Sequence, residues 1–272
     1  MKRLLLASVG LLALTGAETA AAADVPPEVI YPAGYPVGSP LVPPVVAPRF
    51  TFTGFYAGGT IGGAAGSSKY KETPSGAFVT LAPAAVPNVA AVGTSSAAPR
   101  GVIGGAEAGY NWQLGHFVLG FETDFSGWDM SANSGVSGRG IPAGATFSST
   151  TSVSSSWLFT ARPRLGFANG NMLAYVTGGL AVANFNLSQS ILLGGAGPTL
   201  TGASSTTEAG WTAGFGIEYA VTRDWWIKAE YLYVSFPNQS ASQVVPPFPA
   251  FTGTLTGNLT GSIARAGFDY RF

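Results

Sequence analysis

Between Trp157 and Phe167 the chain alternates with a strict period of two. Trp157, Phe159, Ala161, Pro163, Leu165 and Phe167 interleave with Leu158, Thr160, Arg162, Arg164 and Gly166. Successive side chains of a strand point to opposite faces, so one face here is apolar and the other carries two arginines. A long apolar row backed by buried charge suits a strand whose outer face meets lipid and whose inner face lines a polar interior.

Other segments repeat the pattern. Val102, Ala106, Ala108, Tyr110 and Trp112 oppose Glu107, Asn111 and Gln113, while Phe117, Leu119, Phe121 and Phe125 oppose Glu122 and Asp124. Trp211, Ala213, Phe215, Ile217 and Tyr219 oppose Thr212 and Glu218, and Ile227, Ala229, Tyr231 and Tyr233 oppose Lys228 and Glu230. At the end, Ala264, Ala266, Phe268, Tyr270 and Phe272 oppose Arg265, Asp269 and Arg271. Segments 55–64 and 173–185 complete a set of eight, with glycines blurring their facing. The expected fold is therefore all-β, an eight-stranded antiparallel transmembrane barrel over residues 50–272. In lipid each unsatisfied backbone group costs several kcal/mol, so such a sheet must close.

The connections sort by length. Residues 66–99, 129–153, 187–208 and 236–258 form long linkers, and residues 113–116, 168–171 and 222–225 form short ones, in strict alternation. Outer-membrane barrels have long extracellular loops and short periplasmic turns, and an even strand count places both termini at the periplasmic end. The Ser- and Thr-rich long linkers read as mobile surface loops. Trp112, Trp128, Trp157, Trp211, Trp225 and Trp226 fall at or near strand ends, where aromatic girdles belong.

The chain's 10% of charged residues compares with about 25% in soluble domains. Beyond the first 25 residues no apolar run reaches the roughly 18 residues a spanning helix needs. Formal net charge is zero, which gives a nucleic-acid partner no electrostatic footprint. Without Cys there are no disulfides or thiolate metal sites. Lys2 and Arg3, an apolar core from Leu4 to Leu14 and a small-residue site at Ala21–Ala23 before Asp24 read as a signal peptide over 1–23, cleaved between Ala23 and Asp24. Eight prolines between Pro26 and Pro48 make 24–49 an extended periplasmic leader. It is either a simple spacer or a tether to the cell wall.

Several stretches carry a family resemblance: Phe52–Gly59, Gly104–Trp112, Tyr175–Ala181, Gly210–Tyr219, Trp226–Tyr233 and Gly267–Phe272. Over roughly Thr51 to Phe272 the chain resembles the small alphaproteobacterial outer-membrane surface proteins, relatives of the OmpA transmembrane domain. The resemblance implies an eight-stranded barrel, a structural or surface-antigen role and no cofactor. The aromatic row Phe268, Tyr270 and Phe272 also resembles the signal read by the barrel-assembly machinery, with lipid-facing girdle residues as the plainer reading.

The inward charges predicted from these rows are Glu107, Glu122, Asp124, Arg162, Arg164, Glu218, Lys228, Glu230, Arg265, Asp269 and Arg271. Near-balanced signs in a lumen only wide enough for side chains predict an interlocked plug, with Glu218 close to Lys228 and Glu122 close to Arg162. The only histidine, His116, falls in a short turn, so neither a catalytic His nor a zinc site is expected. The reading is a monomeric, non-enzymatic barrel in the outer membrane of a Gram-negative bacterium, in contact with lipid and lipopolysaccharide. It would support envelope integrity and display loops. A narrow solute channel and a loop-mediated adhesin are the alternatives.

Overall fold

The computed structural model describes residues 50–139, 146–193 and 197–272. Signal peptide 1–23, its cleavage at Ala23 and Asp24, and leader 24–49 lie outside the described residues. Eight long antiparallel strands form a ring: β1 (Gly54–Gly76), β3 (Arg100–Leu114), β4 (Phe117–Arg139), β5 (Thr146–Asn169), β6 (Met172–Leu193), β7 (Thr199–Ala220), β8 (Trp225–Val245) and β9 (Phe248–Arg271). Each pairs with its sequence neighbour, and β1 pairs with β9 from Tyr56↔Arg271 to Gly76↔Phe251, which closes the ring. A short β2 (Ser95–Ala97) lies on β1.

One end of the ring is made of tight turns. Gly115 and Gly170 take positive φ in the β3–β4 and β5–β6 hairpins, a conformation glycine adopts without steric cost. Residues 221–224 join β7 to β8, with Val221 N donating to Trp225 O at 2.9 Å.

The other end corrects the sequence reading. Most of the expected long loops 129–153, 187–208 and 236–258 are strand: β4 runs on to Arg139, β5 starts at Thr146, β6 reaches Leu193, and β8 and β9 are separated only by residues 246–247. The alternation of linker length is thus an alternation of strand overhang. A spanning strand needs about 9–11 residues, so strands of 21 to 24 residues stand well clear of the bilayer.

β6 shows why the overhang was hidden. Its outward row begins Met172, Ala174, Val176, Leu180 and continues Asn184, Asn186, Ser188, Ser190. Its inward row passes from Leu173, Tyr175 and Thr177 to Ala181, Ala183, Phe185, Leu187, Gln189 and Ile191. The outer face changes from apolar to polar partway along one strand, as it would on leaving lipid for water. An apolar-out, polar-in template therefore fails beyond that level.

Among the described residues, the β1–β3 connection is the one long loop. Gly76, at φ 61°, turns the chain into α1 (Ala77–Thr80), followed by a 3₁₀ turn (Pro83–Ala85) and α2 (Val86–Gly93). The sequence predicts no helix here. Its signal is faint: Val86, Val89 and Val92 recur every three residues, and Pro87 sits in the first turn, where its missing N–H costs nothing. Val89 and Val92 are buried against Phe78, Phe147, Ile191, Leu200 and Val245. The loop folds into the barrel mouth.

Candidate functional site

The inward rows bring ten of the eleven predicted charges together. Arg162 on β5 is central: its Nη2 lies 2.6 Å from Glu122 Oε1 and 3.1 Å from Asp124 Oδ2, and its Nη1 lies 3.0 Å from Glu230 Oε1. Arg265 on β9 reaches Glu230 at 2.6 Å and Asp124 at 3.1 Å, with Glu107 3.7 Å away. Arg164 pairs with Glu122 at 2.8 Å and with Glu218, and stacks over the Tyr175 ring at 3.9 Å. Lys228 Nζ lies 2.6 Å from Glu107 and 3.0 Å from Glu122. Tyr56 donates to Glu122 Oε2 at 2.8 Å, and Tyr175 donates to Glu230 Oε1 at 3.0 Å.

Removing a charge from water costs several kcal/mol, which the pairs offset only with good geometry and further hydrogen bonds. Here each of these guanidinium groups meets at least two carboxylates from different strands, so the network ties β3, β4, β5, β7, β8 and β9 across the lumen. Glu122 and Arg162 meet as the geometry predicts. Glu218 and Lys228 lie opposite each other in the β7–β8 register, but each pairs elsewhere, Glu218 with Arg164 and Lys228 with Glu107 and Glu122. Their strand assignment stands; their partners differ because the confined lumen lets longer side chains reach across it.

Arg271 is a correction. It shares row parity with Asp269 but sits one step beyond the charged layer, at the turn end. There its guanidinium lies 3.5 Å from Asp224, donates to Thr51 O and approaches the Phe50 ring. Without it, the layer holds six acids and four bases. Asp269 is fully buried, and neither of its carboxylate oxygens accepts a hydrogen bond among the described residues.

Two tryptophans are also corrected. Trp112, Trp211 and Trp225 face outward, but Trp128 and Trp226 are 1% and 0% exposed inside the lumen. Trp226 packs with Phe52, Tyr56, Val118 and Leu173 on the turn side of the charges. Trp128 packs with Ile103, Met130, Leu158, Phe185, Leu232 and Ile263 on the other. Each shares a strand row with charged residues, Trp226 with Lys228 and Trp128 with Asp124, and strand parity turns it inward with them. The charged layer lies between two indole lids.

Phe268, Tyr270 and Phe272 share the outward face of β9 and the chain end, and Phe272 is 79% exposed. His116 occupies the β3–β4 turn, its Nδ1 2.9 Å from Ala168 O and its ring stacked on Phe167. Among the described residues no group of three or more His, Asp or Glu could hold a metal, and no helix is long and apolar enough to cross a membrane.

A closed antiparallel ring with an apolar outer band and a charged interior defines a membrane β-barrel. The sequence matches the outer membrane protein beta-barrel domain family over residues 9–272, and the chain belongs to that family and to the outer membrane. It is 34% identical over 225 residues to the 31 kDa outer-membrane immunogenic protein of Brucella melitensis, covering 82% of this chain and 85% of that one. A 22 kDa outer membrane protein of Rhizobium leguminosarum is 30% identical over 133 residues, 48% of this chain and 51% of that one. Among solved structures, OprG of Pseudomonas aeruginosa aligns with a TM-score of 0.39 at 11% identity, covering 82% of this chain and 97% of that one.

Proposed function

We propose that the protein is a structural, non-enzymatic barrel that supports the envelope and displays the overhang of its strands as an outer surface. The carrying observation is the charged layer of Arg162, Arg164, Lys228 and Arg265 with their carboxylates, held between the Trp226 and Trp128 lids. A selective pore would favour a ring of one sign around open water; interleaved signs joined side chain to side chain favour a plug. The relative in Brucella is named immunogenic, which supports surface display here.

In this reading both termini are periplasmic, the tight turns face the periplasm and the overhang faces outward. Residues 1–23 are a signal peptide cleaved between Ala23 and Asp24, and 24–49 are a periplasmic leader, either a simple spacer or a tether to the cell wall. The protein is a monomer without cofactor, surrounded by lipid and lipopolysaccharide. The row Phe268, Tyr270 and Phe272 is its signal to the assembly machinery, which fits a final strand able to pair through its edge during insertion. Planar-bilayer recording of refolded protein tests the plug. Silence, or only rare brief events, is expected; steady openings would establish the channel reading instead.

A further inference from the structure

From Thr73 to Pro99 the chain carries no charged residue, yet the loop it forms is held in the barrel mouth by polar contacts. Ser149 Oγ donates to Val92 O at 2.6 Å, and Gln189 Nε2 donates to Gly93 O at 2.9 Å. A carbonyl only accepts, so this bond fixes the orientation of the Gln189 amide. Its Oε1 then accepts from Gln243 Nε2 at 2.7 Å, which leaves Gln243 Oε1 directed the other way.

Glu72 lies on that side, beside Gly253. A Cβ atom on Gly253 would clash with Glu72 Oε1 and lie 3.5 Å from Gln243 Oε1, so the two oxygens converge on one small space. Glu72 is 2% exposed, and neither its carboxylate oxygens nor Gln243 Oε1 has a donor among the described residues. An ionised carboxylate facing another acceptor in a buried site is costly. A proton resolves the conflict, because the carboxyl can then donate toward Gln243 Oε1. The relay becomes unidirectional, from Glu72 through Gln243 and Gln189 to the last carbonyl of α2.

We propose that protonated Glu72 latches loop 77–94 into the barrel mouth and that its ionisation releases the loop. Among the described residues, the groups around it leave the titration to Glu72 alone. Gly253 and Leu255 come from β9, Gly93 and Thr94 from the end of the loop, Gln189 from β6 and Gln243 from β8. None of these ionises. Tyr70, on the same row of β1, is held neutral by a burial-raised pKa, while Lys69 and Lys71 point outward into water. That outward pair also places Glu72 beyond the apolar band.

Burial raises the Glu72 carboxyl from 4.5 to about 7. With the loop lifted, water reaches the carboxyl and returns it to its ordinary range. The latched state thus binds the proton more tightly. The latch is at full strength below the ordinary value, weakens as pH rises between the two values, and is spent above the raised one. From well below the ordinary value to well above the raised one, the closed-to-open ratio falls by roughly a few hundred-fold at most.

Hydrogen exchange of amides 86–94 in the refolded full chain, corrected for intrinsic rates, tests this at pH 5 and pH 8. Wild type should be protected at pH 5 and lose at least tenfold of that protection at pH 8. E72Q should stay protected at both, since its amide donates toward Gln243 Oε1 at any pH. Q243L should lack the extra protection at pH 5, and heat-modifiable gel migration confirms folding of each variant. Equal protection of wild type at the two pH values overturns the latch, as does E72Q following wild type. Calcium restoring protection at pH 8 in wild type but not in E72Q also overturns it, by making a cation the occupant.

Discussion

Glu122 and Arg162 stand directly opposite each other on β4 and β5 and meet at 2.6 Å in the centre of the lumen. The same guanidinium also serves Asp124 and Glu230, so one side chain neutralises carboxylates from both sides of the barrel. Breaking a buried pair by removing one partner costs about 3–5 kcal/mol, because the other charge stays buried and unpaired. R162A is expected to lower stability by that amount in urea unfolding from lipid vesicles. The pair R162M and E122Q should cost less together than the sum of the two singles, since each removes the charge the other leaves stranded.

The change of polarity along β6 predicts opposite outcomes for one kind of substitution. Val176→Arg, on the outer face of the apolar band, should cost about 2–4 kcal/mol if it lies near the bilayer midplane. Ser188→Arg, twelve residues further along the same outer row, should change stability by no more than about 0.5 kcal/mol. Unfolding midpoints in vesicles distinguish the two, and equal costs would mean that the overhang is immersed in lipid.

Tryptophan fluorescence reports the lids separately. In variants retaining a single tryptophan, brominated acyl chains should quench Trp211 and Trp225, which face outward, and leave Trp128 and Trp226 bright. W226A should cost about 3–5 kcal/mol as a large buried side chain replaced by a cavity.

A methyl group at Gly93 would press on Glu72 Cβ and Cγ and on Ile191 Cδ1, at 2.5, 2.6 and 3.0 Å. G93A should therefore unseat the end of α2 and raise exchange of amides 86–94 at every pH, with the strand amides of β3 to β8 in the apolar band unchanged. A protected loop in G93A would mean that the helix end has room to shift.

Phe272 is 79% exposed and its side chain meets the Tyr270 ring, while its N–H donates to Phe55 O at 3.0 Å. Deleting it should leave the urea midpoint of refolded protein within about 0.5 kcal/mol of wild type, while lowering the amount assembled in the outer membrane of cells. Unchanged cellular assembly would reduce the residue to a girdle position.

The apolar band was legible because lipid forces apolar side chains outward on every strand. Trp157 to Phe167 on β5 and Ile227 to Tyr233 on β8 therefore announce their facing directly. The overhang was not legible because both of its faces tolerate small polar residues. On β5, Ser149, Thr151 and Ser155 face inward while Ser148, Thr150 and Ser152 face outward, so the row carries no alternation to detect. A register shift between Ser154 and Leu158 also breaks the parity where the band begins. Arg271 and Trp226 were misplaced for a related reason: parity gives a residue's face but not its depth or what fills the lumen there. Glu72, Gln189 and Gln243 gave no signal at all, since their relation depends on three strands and a loop that sequence alone does not bring together.

The strand overhang has a consequence for recognition. Residues that stand beyond the lipid come from seven long strands and the short β2, and any patch of that wall a few strands wide is assembled from segments tens of residues apart. An antibody or receptor binding the side of the wall reads a discontinuous surface of Ser, Thr and Asn side chains set at fixed spacing by the ladder. Such a surface exists only while the ring is closed, so short synthetic peptides from 129–153 or 187–208 would be poor substitutes for the folded protein.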